Sequence, residues 1–287
     1  MPAYRYLPPY IADRLHGVSV SARRAMAGGL QGLHRSSRHG ASVEFAEYRP
    51  YTPGDPPSLI DWSVYARTDK HLIRRFEEET NLTGYVLLDC SASLDWRGRG
   101  EHTKLAYACY LASGMMYALV HQGDRVGLAW FSSDIVQRHA PAGSAATLGP
   151  LLLALEGIAP GGRGDIAASL HQACAFLPRR SLVVVVSDLL QPPAQVVSGI
   201  AHLHHDGHDV RVLHVVDRAE LALQESGLVE VTDLETGERL EVELDEMRDG
   251  YRAAVDGHLL DIRRGCLGSG ADYRLVHTDT PIEDALR

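Results

Sequence analysis

The chain has 287 residues, of which 45% are hydrophobic and 23% charged, with a formal net charge of −9; this is the profile of a globular protein longer than one average domain. An acidic balance gains little from counterion release on phosphate, so general nucleic-acid binding is excluded as an expectation. No apolar run reaches the roughly 18 residues of a membrane-spanning helix, Met1-Pro2-Ala3-Tyr4-Arg5 lacks the apolar core of a signal peptide, and Cys90, Cys109, Cys174 and Cys266 show no C-x-x-C or zinc-type spacing, so a reduced, cytoplasmic setting is expected.

In chain order, residues 11–31 read as an amphipathic helix ending at Gly28-Gly29. A basic linker follows, then Val43 to Tyr48, whose apolar and polar residues alternate as in a half-buried strand. Tyr51-Thr52-Pro53-Gly54-Asp55-Pro56-Pro57 is a rigid turn, and His71 to Glu77 a short extended piece. Residues 1–80 thus read as an N-terminal helix with an accessory region of strands and turns.

From Tyr85 strands and helices alternate. A strand over 85–89 leads to a helix at about 102–122, whose Leu105, Cys109, Leu111, Ala112, Met115, Met116 and Leu119 form one apolar stripe. A strand over Val126–Phe131 precedes helices at about 144–157 and 166–177. The run Leu182 to Val186 has no polar alternation, which marks a central parallel strand covered on both faces. A helix at about 193–206 and a strand over 210–216 come next. The segments 228–233 and 239–244 read as a hairpin inserted near 222–245. A helix at about 245–265 and a strand over 273–277 close the domain. Repeated βα units with right-handed crossovers give a doubly wound parallel α/β sheet over 81–287.

Chemistry concentrates at one strand end. Asp89-Cys90-Ser91-Ala92-Ser93 places a carboxylate and two hydroxyls on the loop where open α/β sheets bind ligands. Hard oxygen donors suit Mg²⁺ or Mn²⁺. The arrangement resembles the metal-ion-dependent adhesion site of von Willebrand factor A domains, which holds a partner's carboxylate through the metal. Such a site also takes a threonine from a second loop and an aspartate from a third. Asp188, after the Val183–Val186 strand, fits the third loop. Gly161-Gly162-Arg163-Gly164-Asp165 fits the second, but Gly164 stands at the threonine position. Asp165 supplies a carboxylate one residue on, or caps the helix that begins at Ile166.

Other chemistry is poorly represented. There is no P-loop, no G-x-S-x-G elbow, and no second aspartate two residues after Asp89 as haloacid-dehalogenase-type phosphatases require. His202, His204, His205 and His208 can be read as a metal site, but their helix end and polar surroundings favour a solvated turn, where the helix dipole stabilises cations.

The stretch Val43 to Asp55, then Ile60-Asp61-Trp62 and Ala66-Arg67, resembles the hallmark of the family known as domain of unknown function 58. Gly123-Asp124-Arg125-Val126-Gly127-Leu128, Ser187-Asp188, Asp233 to Gly237 and Tyr273 to Thr278 extend the resemblance over nearly the whole chain; Pro56 and Ser58 depart from it, standing for an aspartate and an arginine. The resemblance implies a von Willebrand factor A-like core and partnership with a MoxR-type AAA+ ATPase in protein maturation or metal insertion.

The sequence therefore leads to a non-catalytic adaptor in which Asp89, Ser91, Ser93, Asp188 and Asp165 hold Mg²⁺ or Mn²⁺. Phe45 and Trp62 are expected to bury large apolar areas. Arg49, Asp55, Asp61 and Arg67 form either a charge network around the Pro-Gly turn or a partner-binding surface. Two alternatives stand beside this reading: a metal-dependent hydrolase using the same carboxylates, and a metal-free scaffold disabled at Gly164.

Overall fold

The structure, a computed structural model, describes residues 4–21, 43–52, 55, 57, 60–78, 82–98, 100–221, 223 and 225–287. The chain forms two compact units, Met1–Ala25 with Leu82–Arg287, and Met26–Asn81.

The larger unit is built on a six-stranded sheet. In chain order its strands are β3 (Thr83–Asp89), β4 (Arg125–Phe131), β5 (Ile135–Ala142), β6 (Leu182–Ser187), β7 (Asp209–Val216) and β10 (Asp272–His277), and in space they run β10-β7-β6-β3-β4-β5. All neighbours are parallel except β4 and β5. The expected α/β sheet is thus present, with an antiparallel edge strand that the sequence did not announce. The reason is composition: β5 reads Ile-Val-Gln-Arg-His-Ala-Pro-Ala and is half exposed, so it lacks the apolar run of its neighbours. Edge strands tolerate such residues, proline included.

Successive strand residues point to opposite faces, and two cores result. Val86, Leu88, Val184, Val186 and Leu213 pack on one face with α3 (Lys104–His121) and α4 (Ala145–Glu156). Tyr85, Leu87, Val183, Val185 and Val212 pack on the other with α5 (Ile166–Cys174), α6 (Pro193–His205) and α7 (Leu244–Gly268). Val183 to Val186 are each 0% exposed, which is why this run shows no polar alternation.

The N-terminal helix, α1 (Pro9–Leu15), is shorter than the expected 11–31, and residues 22–42 lie outside the described residues. It belongs to the larger unit because Tyr6, Leu7, Ile11 and Leu15 bury with α3, and Ile282 and Leu286 of α8 (Ile282–Leu286) join the same core. The hairpin is formed by β8 (Leu228–Thr232) and β9 (Arg239–Glu243), with Thr232 opposite Arg239. Asp233 Oδ1 accepts the Glu235 and Thr236 amides at 2.7 and 3.1 Å, an Asx turn that sets the conformation of the tip.

The smaller unit pairs β1 (Val43–Pro50) antiparallel with β2 (Leu72–Glu78) and adds α2 (Trp62–Thr68), a seven-residue helix not foreseen from the sequence. Asp61 caps it, accepting the Ser63 and Val64 amides at 3.0 and 3.2 Å. Trp62 is 56% exposed, contrary to the expected burial. At the first helical position its ring meets the Tyr65 ring edge-on, with centroids 5.9 Å apart. The Phe45 side chain lies outside the described residues.

Candidate metal centre

Register brings the two aspartate loops together. Leu88 of β3 pairs with Val186 of β6, so Asp89 and Ser187 are the next residues on adjacent strands. Their side chains meet: the Ser187 hydroxyl donates to Asp89 Oδ2 at 2.6 Å. Asp89 Oδ1 accepts the Ser91 amide at 2.8 Å. The Ser91 and Ser93 hydroxyl oxygens lie 3.1 Å apart. Asp89, Ser91, Ser93, Ser187 and Asp188 are all buried. With Gln191 and Glu235 they line one crevice of about 10 Å³, close to the space of a single water-sized sphere.

The donor set fits a hard divalent cation. Crevice donors are carboxylate, hydroxyl and amide oxygens, and among the described residues neither histidine nor cysteine lines it. Octahedral Mg²⁺ with bonds of about 2.1 Å puts adjacent ligand oxygens about 3 Å apart, and the two serine oxygens already stand at 3.1 Å. Asp89, Ser91, Ser93 and Asp188 are the residues that would hold the ion.

Asp165 is placed otherwise. Its Oδ1 accepts the Ala168 amide at 2.9 Å and caps α5, and Asp165 is not among the crevice residues. The third carboxylate comes instead from the hairpin tip. Glu235 Oε1 accepts the Gly164 amide at 3.1 Å. A Cβ on residue 164 would stand 3.0 Å from Gln191 Nε2 and 3.3 Å from both Glu235 Oε1 and Ser91 Cβ. Gln191, Glu235 and Ser91 would therefore each have to give by a few tenths of an ångström to admit a side chain at 164.

Burial, and then the Asp188 carboxylate, push Asp89 up to about 7 against the hydrogen bonds from Ser187 and Ser91. Lys104, the first residue of α3 and 1% exposed, bonds Asp188 Oδ2 at 2.8 Å and Glu220 Oε1 at 2.6 Å. Burial pulls the Lys104 ammonium down, but the two carboxylates outweigh it and leave it above the usual lysine value. His214 Nε2 meets the Asp188 carbonyl at 2.8 Å and Nδ1 the Tyr273 hydroxyl at 2.9 Å. Burial holds His214 down near 4, so this ring is neutral, and one of its nitrogens donates.

Residues 47–259 match the family described as "Protein of unknown function DUF58". The chain belongs to this family. It is 27% identical over 281 residues to the uncharacterized proteins Mb1516 of Mycobacterium bovis and Rv1480 of Mycobacterium tuberculosis, covering 94% of this chain and 86% of each relative. Among solved structures it is similar to the conserved hypothetical protein BatB from Bacteroides thetaiotaomicron, with TM-score 0.48, 19% identity, and 72% and 95% of the two chains covered. It is also similar to the SpRpn10 VWA domain, with TM-score 0.42, 11% identity, and 72% and 94% covered.

In this DUF58 chain the hallmark residues Asp55 and Asp61 make local contacts within the smaller unit. Asp61, besides capping α2, accepts the Tyr48 hydroxyl at 2.8 Å. Asp55 Oδ2 closes its own turn by accepting the Thr52 amide and hydroxyl at 3.0 and 2.8 Å. Arg67 lies exposed in the last turn of α2, and the Arg49 side chain falls outside the described residues. Sequence reasoning missed Lys104, Ser187, Glu220 and Glu235. Of these, Ser187 and Glu235 left a trace, within the Ser187-Asp188 and Asp233 to Gly237 stretches that carry the family resemblance. Among the described residues no helix is long and apolar enough to cross a membrane, and the four cysteines are free thiols.

Proposed function

We propose that this DUF58 protein is a non-catalytic interaction module whose strand-end crevice binds Mg²⁺ or Mn²⁺ and, through it, a carboxylate of a partner protein. Asp89, Ser91, Ser93 and Asp188 supply the oxygen donors. Following the family resemblance, the partner is a MoxR-type AAA+ ATPase or its client, in protein maturation or metal insertion.

One observation supports this most directly: the Glu235 carboxylate lies in the crevice, against the Gly164 amide. A site that accepts an internal carboxylate has the shape and donors to accept an external one. When bound, the cation would supply the charge that makes a third carboxylate favourable beside Asp89 and Asp188. The protein's own groups do the rest: the Ser91 amide and Ser187 hydroxyl orient Asp89, and Lys104 orients Asp188.

A second reading is favoured by Lys104 itself. An ammonium 2.8 Å from Asp188 Oδ2 neutralises that carboxylate without any metal, as a cation-free scaffold requires. Lys104 does not line the crevice, however, so its bond leaves the crevice side open. Calorimetric titration of the wild type and Asp89→Ala with Mg²⁺ and Mn²⁺ separates the readings. Saturable one-site binding that Asp89→Ala abolishes supports the metal-dependent module, and no heat in the wild type supports the scaffold. Capture of the ATPase that persists unchanged in chelator rules out the metal-bridged contact.

A further inference from the structure

Far from the crevice, α5 and α6 end side by side. His171 and Cys174 are three residues apart on α5; His202 and Asp206 are four apart at the end of α6, where Asp206 is the C-cap. Spacings of three and four put each pair on one helix face. Gly199 brings the two faces together: a Cβ there would lie 3.1 Å from Leu170 Cβ and 3.3 Å from the Ala167 backbone. One turn further along α6, Cys174, His202 and Asp206 meet. The ligating atoms of Cys174, His202 and Asp206 all lie within 4.8 Å of one another. His171 Nδ1 stands 2.5 Å from His202 Nδ1, with ring centroids 4.7 Å apart. Two ring nitrogens at that distance cannot both carry hydrogens, so one Nδ1 donates and the other accepts, which leaves His202 Nε2 facing Asp206 Oδ2 at 3.8 Å.

We infer that Cys174, His202 and Asp206 form a second metal site, of zinc type, across the seam of α5 and α6, with the His171 ring beside it. One sulfur, one imidazole nitrogen and one carboxylate oxygen are three ligands suited to tetrahedral Zn²⁺, with the fourth position open to water. The strand-end crevice offers oxygen alone, so the two sites select different ions. Cys174 and His202 are half-buried, whereas His171 and Asp206 are exposed, which leaves the ion a path from solvent. The spacing was invisible to a search for Cys/His motifs because the ligands come from two helices joined by a buried strand.

Position gives this site a mechanical role. The opposite ends of the same helices border the crevice, where the Ile166 amide donates to Gln191 Oε1 at 3.1 Å. A zinc clamp at the far ends, with this bond at the near ends, fixes α5 against α6 and so fixes the loops that carry Gly164 and Asp188.

The test is titration of metal-stripped full-length protein with Co²⁺ and then Zn²⁺. The expected result is one equivalent of tetrahedral Co²⁺ d–d bands with a thiolate-to-metal charge-transfer band, both erased by Zn²⁺. Cys174→Ser should lose the charge-transfer band, and His202→Ala should weaken Zn²⁺ binding by at least about tenfold. Asp89→Ala should leave the spectrum unchanged, which keeps this result independent of the crevice. Zn²⁺ should raise the melting temperature of the wild type but not of Cys174→Ser, which also shows that the variant folds. Absence of saturable Co²⁺ bands, or their survival in Cys174→Ser and His202→Ala alike, overturns the proposal.

Discussion

Glu235 Oε1 and the Gly164 amide nitrogen are 3.1 Å apart, although 71 residues separate them in the chain. A hairpin tip thereby closes over the loop that leads into α5, and its carboxylate holds the place where an outside carboxylate would bind. Removing it takes away an internal competitor. Glu235→Ala should therefore tighten capture of an acidic partner about fivefold, given about 1 kcal/mol for the lost self-contact. Partner titration by calorimetry, with hydrogen exchange at the Gly164 amide as the local readout, checks this. Unchanged affinity with faster exchange would show that the hairpin merely rests there.

Lys104→Met separates the ammonium from the divalent cation as the charge that stabilises Asp188. The substitution leaves Asp188 and Glu220 buried without their counter-charge, and breaking a buried pair from one side costs about 3–5 kcal/mol. Denaturant unfolding in chelator should show that loss. Added Mg²⁺ should recover part of it, because a ligand that binds only the folded state stabilises by mass action.

Asp89 and His214 tilt the stability–pH curve of the metal-free protein in opposite directions. The folded pKa of Asp89 is raised to about 7 from 3.8, so between these values the folded state keeps a proton that the unfolded chain releases, and stability falls as pH rises through the window. Asp89→Asn should accordingly gain stability over wild type at pH 8 relative to pH 5. The folded pKa of His214 is lowered to about 4 from 6.5, so stability is lost as pH falls through that interval. The penalty of His214→Gln should be larger at pH 7 than at pH 5. Urea midpoints across the range, in chelator, test both signs.

Asp61→Ala removes the cap of α2 and the acceptor of the Tyr48 hydroxyl. Loss of such a cap costs about 1 kcal/mol, within a range of roughly 0.5–2. Faster exchange at the Ser63 and Val64 amides is the expected signature. If ATPase capture fell while exchange stayed constant, Asp61 would instead belong to a contact surface.

The central strands were legible because full burial on both faces leaves no room for polar residues, as in Val183 to Val186. The pairing of Asp89 with the third loop followed from two apolar strands each ending in an aspartate. β5 was not legible, since an exposed edge strand carries no hydrophobic signal. Nor was α2, too short for a period of 3.6 to show. Lys104 ran against expectation because lysine is almost never buried unless paired, and its partners Asp188 and Glu220 lie far along the chain. Asp165 illustrates the converse: one residue type served two readings, and only the hydrogen bond to Ala168 decided between them.

The antiparallel outer strand has one more effect. Pro141 has no amide hydrogen to offer, and the register with β4 slips between Val126 and Leu128 and again between Trp130 and Phe131. A foreign strand laid along this rim would find an interrupted ladder of donors and acceptors. On that flank the sheet is guarded against strand-by-strand addition of further copies into fibrils.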